Sequence, residues 1–198
     1  MRVTKAQAQA NRAHIVETAS ALFRERGFDG IGVADLMAAA GFTHGGFYKH
    51  FGSKADLMAE ASAAGLSKSL QDSTGVGLAG FFEHYVSREH RDGRGAGCTL
   101  SALCADAARQ PQEVKATFGD GIAQMFAVLE RGAMKLGGAD QQEARARMIS
   151  AMAKAVGAVI LSRACPDDSP LADEILDVCR SAILESLAPS VEESPAVS

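Results

Sequence analysis

Apolar residues recur along this chain at spacings of three and four, and nowhere at the spacing of two, bounded by tight turns, that a strand pair requires. The pattern predicts helices almost throughout. Ile15, Ala19, Leu22 and Phe23 stripe a first helix. Thr4 and Gln7 form a T-x-x-Q capping box at its start, and Gly27 stops it. A short helix follows at about Val33–Ala39, burying Val33, Leu36 and Met37 and broken by Gly41. Thr43 can N-cap another short helix to about Phe51. Ser53 with Asp56 caps a longer one that begins at Lys54, buries Leu57, Met58 and Ala61, and runs to about Gln71. The stretch Asp72–Gly80 reads as a loop.

The second half predicts longer helices. Leu78–Arg88 stacks Phe81, Phe82, Tyr85 and Val86 on one face, and Arg91–Gly97 is a Gly-rich loop. A helix at Thr99–Ala108 carries Leu100, Leu103, Cys104 and Ala107. Pro111 opens the next, where Phe118, Ile122, Met125, Phe126, Leu129, Ala133 and Leu136 run at near-heptad spacing until Gly137-Gly138. Asp140 with Glu143 caps a helix to about Ala164; after a turn, Ser169 and Pro170 start a last one ending at Leu187. The tail 189–198 is expected to be disordered.

The last two helices are apolar on two faces. The final one has Leu171, Ile175, Val178 and Ala182 on one stripe and Leu176, Cys179, Ile183 and Leu187 on another. Its predecessor sets Met148, Ala151, Met152, Ala155 and Val159 beside Ile149, Ala153, Val156 and Ile160. Two apolar faces need two covers. One is the protein's own core and the other a second copy, with Met152, Val156, Ile160, Ile175, Cys179 and Ile183 expected at an isologous dimer interface.

Composition narrows the classes. With 198 residues, 47% hydrophobic, Gly and Pro at 20 and 5, and four Cys, the chain is neither collagen-like nor a disulfide scaffold. The longest apolar run, Ala155–Leu161, is far short of the ~20 residues that span a bilayer. The first residues lack the apolar segment of a secretory signal, so the expectation is a cytoplasmic protein with no membrane partner. Charge is uneven: residues 1–54 hold seven basic and four acidic side chains, whereas the rest hold 13 and 20. A basic head on an acidic body suits an anionic partner at the head.

The chemistry of that head lies in Ile31–Leu57. Two short helices joined at Ala40-Gly41-Phe42 read as a helix-turn-helix. The second is odd for a structural element: it holds His44, Gly45, Gly46, Tyr48, Lys49 and His50, with only Phe47 and Phe51 fitted for burial. Paired glycines weaken a helix by ~1 kcal/mol each but let it approach another surface closely. Tyr48, His50 and Lys54 supply donors for phosphates, while Thr43, His44 and Lys49 can reach base edges.

The stretch LFRERGFDGIGVADLMAAAGFTHGGFYKHFGSKADL, ending at Leu57, resembles the N-terminal DNA-binding domain of the TetR family of transcriptional regulators. The likeness spans roughly residues 10–60, about a quarter of the chain. It implies an all-α homodimer, with a three-helix DNA-binding domain over 1–52 and a ligand-binding and dimerisation domain over 53–188. It also implies repression of a double-stranded DNA operator, relieved by a small-molecule effector, with Thr43–His50 in the major groove. Carried over by position, Tyr48, His50 and Lys54 fall on phosphate contacts, and Thr43, His44, Gly45, Gly46 and Lys49 on the reading surface. One position departs: Gly32 stands where many members cap the next helix with Thr or Ser, which removes that side-chain phosphate contact.

The effector site has no such signature. Phe81, Phe82, Tyr85, Cys104, Phe118, Met125 and Phe126 are the candidates for a pocket lining, although apolar stripes are more often plain core. No C-x-x-C or paired-histidine spacing calls for a metal, and no motif calls for a cofactor. Cys98, at a helix start after the Gly-rich loop, makes a thiol-based redox sensor an alternative reading. Gly93–Gly97 lacks the strand and the Lys-Ser/Thr of a phosphate loop, and His84, His90, Glu83 and Glu89 form no convincing dyad for an enzyme. A dimeric small-molecule carrier without DNA binding is the rival from another class; Gly45-Gly46-Phe47-Tyr48 argues against it.

Overall fold

The computed structural model describes residues 4–72, 75–135 and 140–188, and every regular element among them is helical. Leu136, Gly137-Gly138 and the tail 189–198 lie outside the described residues. No helix among those described is long and apolar enough to cross a membrane, and no described cluster of side chains could hold a metal.

Helix α1, Lys5–Arg26, starts where the capping box puts it: Thr4 Oγ1 accepts from the Gln7 N–H at 3.2 Å. The Gln7 side chain instead donates to Asn11 Oδ1 at 2.8 Å, so only the forward half of the box forms. Gly27 ends the helix with φ +77°, and a Cβ there would sit 2.7 Å from Asp106 Oδ2. Helix α2, Val33–Ala39, buries Leu36 and Met37 and leaves Val33 half-buried. Gly41 turns the chain at φ +79°, while the Phe42 N–H donates back to the Met37 carbonyl at 2.8 Å.

The element after Thr43 differs from the expectation. It is a 3-10 helix, His44–Lys49, and Thr43 occupies the cap position without a side-chain cap bond. Adjacent glycines lower the cost of leaving α geometry, and six residues are too few for an α ladder to outweigh it. Helix α3, Lys54–Asp72, has the full reciprocal cap: Ser53 Oγ accepts from the Asp56 N–H at 3.0 Å, and Asp56 Oδ2 accepts from the Ser53 N–H at 3.1 Å.

The single helix expected over Leu78–Arg88 is two: α4, Leu78–Tyr85, and α5, Arg88–Asp92. The break falls at Val86, whose side chain is buried and whose carbonyl leaves the helix direction to accept from Arg180 Nη1 at 3.1 Å. Part of the expected Gly-rich loop is thus helical. His90 and Arg91 are buried, the former accepting from the Cys98 N–H at 2.9 Å and the latter paired with Asp92 at 2.6 Å. Helices α6 (Thr99–Ala107), α7 (Gln112–Lys135), α8 (Gln141–Ala164) and α9 (Pro170–Leu187) follow the predicted stripes.

The chain forms two compact units. The first joins Met1–Thr74 to Arg88–Gln124, and its buried core includes Ile15, Phe23, Phe28, Leu36, Met37, Phe47, Leu57 and Leu103. The Phe28 ring meets Phe23 and Phe118 edge-on, at 5.2 and 6.5 Å between centroids. Its backbone is held from both sides: Asp106 Oδ2 accepts its N–H at 3.2 Å, and Lys54 Nζ donates to its carbonyl at 2.5 Å.

The second unit joins Gly75–Ser87 to Met125–Ser198, with α4 and α8 packed on α9. Ser162 Oγ donates to the Ala172 carbonyl at 2.8 Å, tying α8 to α9, and Arg145 pairs with the buried Glu130 at 2.5 Å.

Candidate nucleic-acid interface

One ring fixes the 3-10 helix His44–Lys49. Phe47 is 1% exposed and stacks at 5.4 Å on Phe51, which is also buried. With that side chain turned inward, the rest of a six-residue helix must face out. Thr43, His44, Gly45, Tyr48 and Lys49 are exposed; Gly46 and His50 are half-buried. Tyr48 is 68% exposed although its ring meets Phe47 edge-on at 5.2 Å, so the hydroxyl is presented on a stiff stem. His44 flanks the same ring at 6.3 Å.

The two glycines differ. A Cβ on Gly46 would lie 3.6 Å from the Met37 methyl, an ordinary contact, whereas one on Gly45 would meet nothing within 4 Å. Packing within the protein therefore gives no reason for glycine at 45.

Lys54 lies at the first position of α3 and is half-buried. One of its three ammonium protons is committed to the Phe28 carbonyl, leaving two for another acceptor. Arg12, which sequence reasoning passed over, braces the opposite flank. Its guanidinium is bidentate to Glu60, its Nε donates to the His50 carbonyl at 3.3 Å, and it lies 4.6 Å over the Phe51 ring. Nothing in the helix period marks Arg12, because its partners are 38 and 48 residues away. Gly32 is the N-cap of α2 with no side-chain cap bond, as the sequence implied.

The sequence profile of bacterial regulatory proteins of the tetR family matches residues 15–61, which run from the middle of α1 through the 3-10 helix into α3. Over those residues the chain is similar to the TetR family. Over 59 residues it is 41% identical to the HTH-type transcriptional regulator AcrR of Shigella flexneri. That stretch spans 30% of this chain and only 27% of AcrR, so the chain matches about a quarter of that relative's length. Two solved structures share the fold of nearly the whole chain. Reduced NemR of E. coli superposes with TM-score 0.72 at 19% identity over 95% of this chain and 100% of its own. AibR, solved with isovaleryl coenzyme A and operator DNA, gives 0.59 at 19% over 87% and 97%.

The other candidate residues scatter. Cys104 and Phe118 belong to the first unit; Phe81, Phe82, Tyr85, Met125 and Phe126 belong to the second. Phe81 meets Phe82 and Tyr85 at 5.0 and 5.6 Å, and Phe82, Tyr85, Phe118 and Met125 are buried. Burial, then the neighbouring Cys98, pushes the Cys104 thiol up to about 11, so it stays protonated at neutral pH. Cys98 is itself buried at the N-cap of α6.

Of the residues expected at a dimer interface, Met152 and Ile183 are buried within the second unit's own core, Val156, Ile175 and Cys179 are half-buried, and Ile160 is 38% exposed. The apolar side chains left outside are Ile149 and Leu161 on α8 and Leu171 and Val178 on α9.

Proposed function

We propose that this chain is a DNA-binding transcriptional regulator that acts as a homodimer, a repressor released from its operator by a small-molecule effector. The observation that carries the reading is the 3-10 helix, anchored by Phe47 and presenting polar side chains around a Gly45 that nothing in the protein crowds. Residues 1–52 are the DNA-binding domain and 53–188 the effector and dimerisation domain. Tyr48, His50 and Lys54 hold phosphates, and Thr43, His44, Gly46 and Lys49 lie against base edges, with Gly45 at the closest approach.

Two copies join through the outward stripes of α8 and α9. Ile149, Val156 and Ile160 lie on one, Ile175, Val178 and Cys179 on the other, while Met152 and Ile183 support them from within. A dimer matches two half-sites at a fixed spacing, so any change in the separation of the two 3-10 helices weakens binding. The effector acts by moving α3, whose first residue is Lys54. That AibR was solved with both an acyl-coenzyme A and its operator supports an organic effector in this fold.

The test is titration of the purified protein against DNA flanking its own coding region, across salt. Specific binding that weakens with salt is expected, with Tyr48→Ala at least tenfold weaker and the fold unchanged by circular dichroism. A folded dimer that selects no sequence, even from a genomic fragment library, would overturn the reading.

A further inference from the structure

Arg24, near the end of α1, is a buried guanidinium without a carboxylate. It is 9% exposed; its Nε and Nη2 both donate to the Gly95 carbonyl, at 2.9 and 2.7 Å, and its Nη1 to Ser20 Oγ at 2.7 Å. No ion pair reaches it among the described residues, and three of its five N–H groups are used. Burying a charge this way is costly unless something of opposite sign completes it. Burial pushes the guanidinium below its ordinary pKa, the direction expected for a cation short of a counter-charge.

Its immediate surroundings are polar and tightly packed, and a groove opens beside them. A Cβ on Gly65 of α3 would fall 2.4 Å from Thr99 Oγ1, 2.7 Å from Arg24 Nη1 and 2.8 Å from Ser20 Oγ, so three polar groups converge where only glycine fits. Thr99 is 1% exposed, and its hydroxyl has no partner. Arg24, Ser20, Gly65 and Gly95 line a groove of about 880 Å³ between α1 and α3, with Ala13, Val16 and Ala64 along its apolar wall. Its charged lining is Arg12, Arg24 and Lys68 against Glu17 and Glu60, and Glu60 is already paired with Arg12.

We propose that this groove binds a small molecule bearing one oxyanion, a carboxylate or a phosphate, with Arg24 as the cation that takes its charge. The head pairs with Arg24, which has two N–H groups uncommitted, and Lys68 lines the same groove. Any apolar part runs along Val16 and Ala64. Glu17 disfavours a second negative charge on the ligand. The site is distinct from the aromatic candidates for the effector, and binding here does not depend on the DNA-binding reading.

The experiment is isothermal titration of the full chain, without DNA and at constant ionic strength, with sodium octanoate in one arm and sodium phosphate in the other. Saturable binding of one molecule per protomer in either arm is expected, and the arm that saturates identifies the head group. Arg24→Gln should weaken it at least tenfold. Because that variant can unfold, Ala64→Phe is the second: Ala64 is exposed on α3, so a ring there fills the groove, leaves the melting temperature of the free protein unchanged, and abolishes binding. No saturation in either arm up to about 10 mM, or binding unaltered in Ala64→Phe, would overturn the proposal.

Discussion

Two glycines, twenty residues apart, have opposite reasons to lack a side chain. Gly65 is hemmed in by Thr99, Arg24 and Ser20, while Gly45 faces empty space. Gly45→Ala should therefore raise stability by up to about 1 kcal/mol, because alanine costs the unfolded chain less freedom and favours helical geometry. The same change should weaken operator binding by about tenfold, since the added methyl stands between backbone and DNA; that factor corresponds to roughly 1.4 kcal/mol. Thermal melting and DNA titration of one preparation check both signs. If affinity is unchanged, the close approach at Gly45 is wrong.

Among the elements, α3 has the best-defined start. The Asp56 carboxylate is held below the usual carboxylate range by the Ser53 hydroxyl above all, against desolvation, with the Gly52 and Ser53 N–H groups and Arg12 adding to the lowering. Its bonds to Ser53 Oγ and Gly52 N are 2.7 and 2.9 Å. Folding depresses this pKa, so the stabilisation is complete above the unfolded value of about 3.9 and is lost as pH falls through the lower folded value. Asp56→Asn should lower the melting temperature at pH 7 and lose progressively less relative to the parent below pH 4. A constant difference at every pH would mean that the charge is irrelevant to the cap.

This cap was plain in the sequence, because its partners are three residues apart; so were α1, α2 and the inward stripe of α3. The 3-10 geometry of His44–Lys49 was not. Its residues read as a weak α-helix, and the burial of Phe47 that anchors the 3-10 turn is not marked by any local spacing. The break at Val86 was hidden for a similar reason, since Arg180, which takes its carbonyl, lies 94 residues on. Gly32 is an N-cap that a hydroxyl would improve: Gly32→Ser should add a few tenths of a kcal/mol, seen in denaturant unfolding. If the expected phosphate lies there, DNA binding should tighten as well.

At the scale of the whole molecule, the two-faced helices were visible in the sequence, but not which face was which. The structure buries the Met148–Met152–Ala155–Val159 side of α8 and the Leu176–Ile183–Leu187 side of α9, leaving Val178 62% and Leu171 52% exposed. Periodicity alone spread the expected dimer contacts over both faces, which is why Met152 and Ile183 were among them. Val178→Glu should leave the protomer folded and weaken self-association by about 30-fold, the loss of a central apolar anchor. Light scattering across protein concentration measures it, and an unaffected dimer would move the interface away from α9.

The Phe28 ring, held between Phe23 and Phe118, also bears on how the protein is made. The first unit draws on two segments separated by Gly75–Ser87, and the Asp106 carboxylate that accepts the Phe28 N–H belongs to the later one. As the chain leaves the ribosome, residues 4–72 can coil into helices, but their core stays open until residues through Phe118 have emerged. The first unit is thus finished by chain synthesised well after residues 4–72, and a nascent or truncated protein ending at Asp72 lacks the Asp106 and Phe118 contacts that hold Phe28.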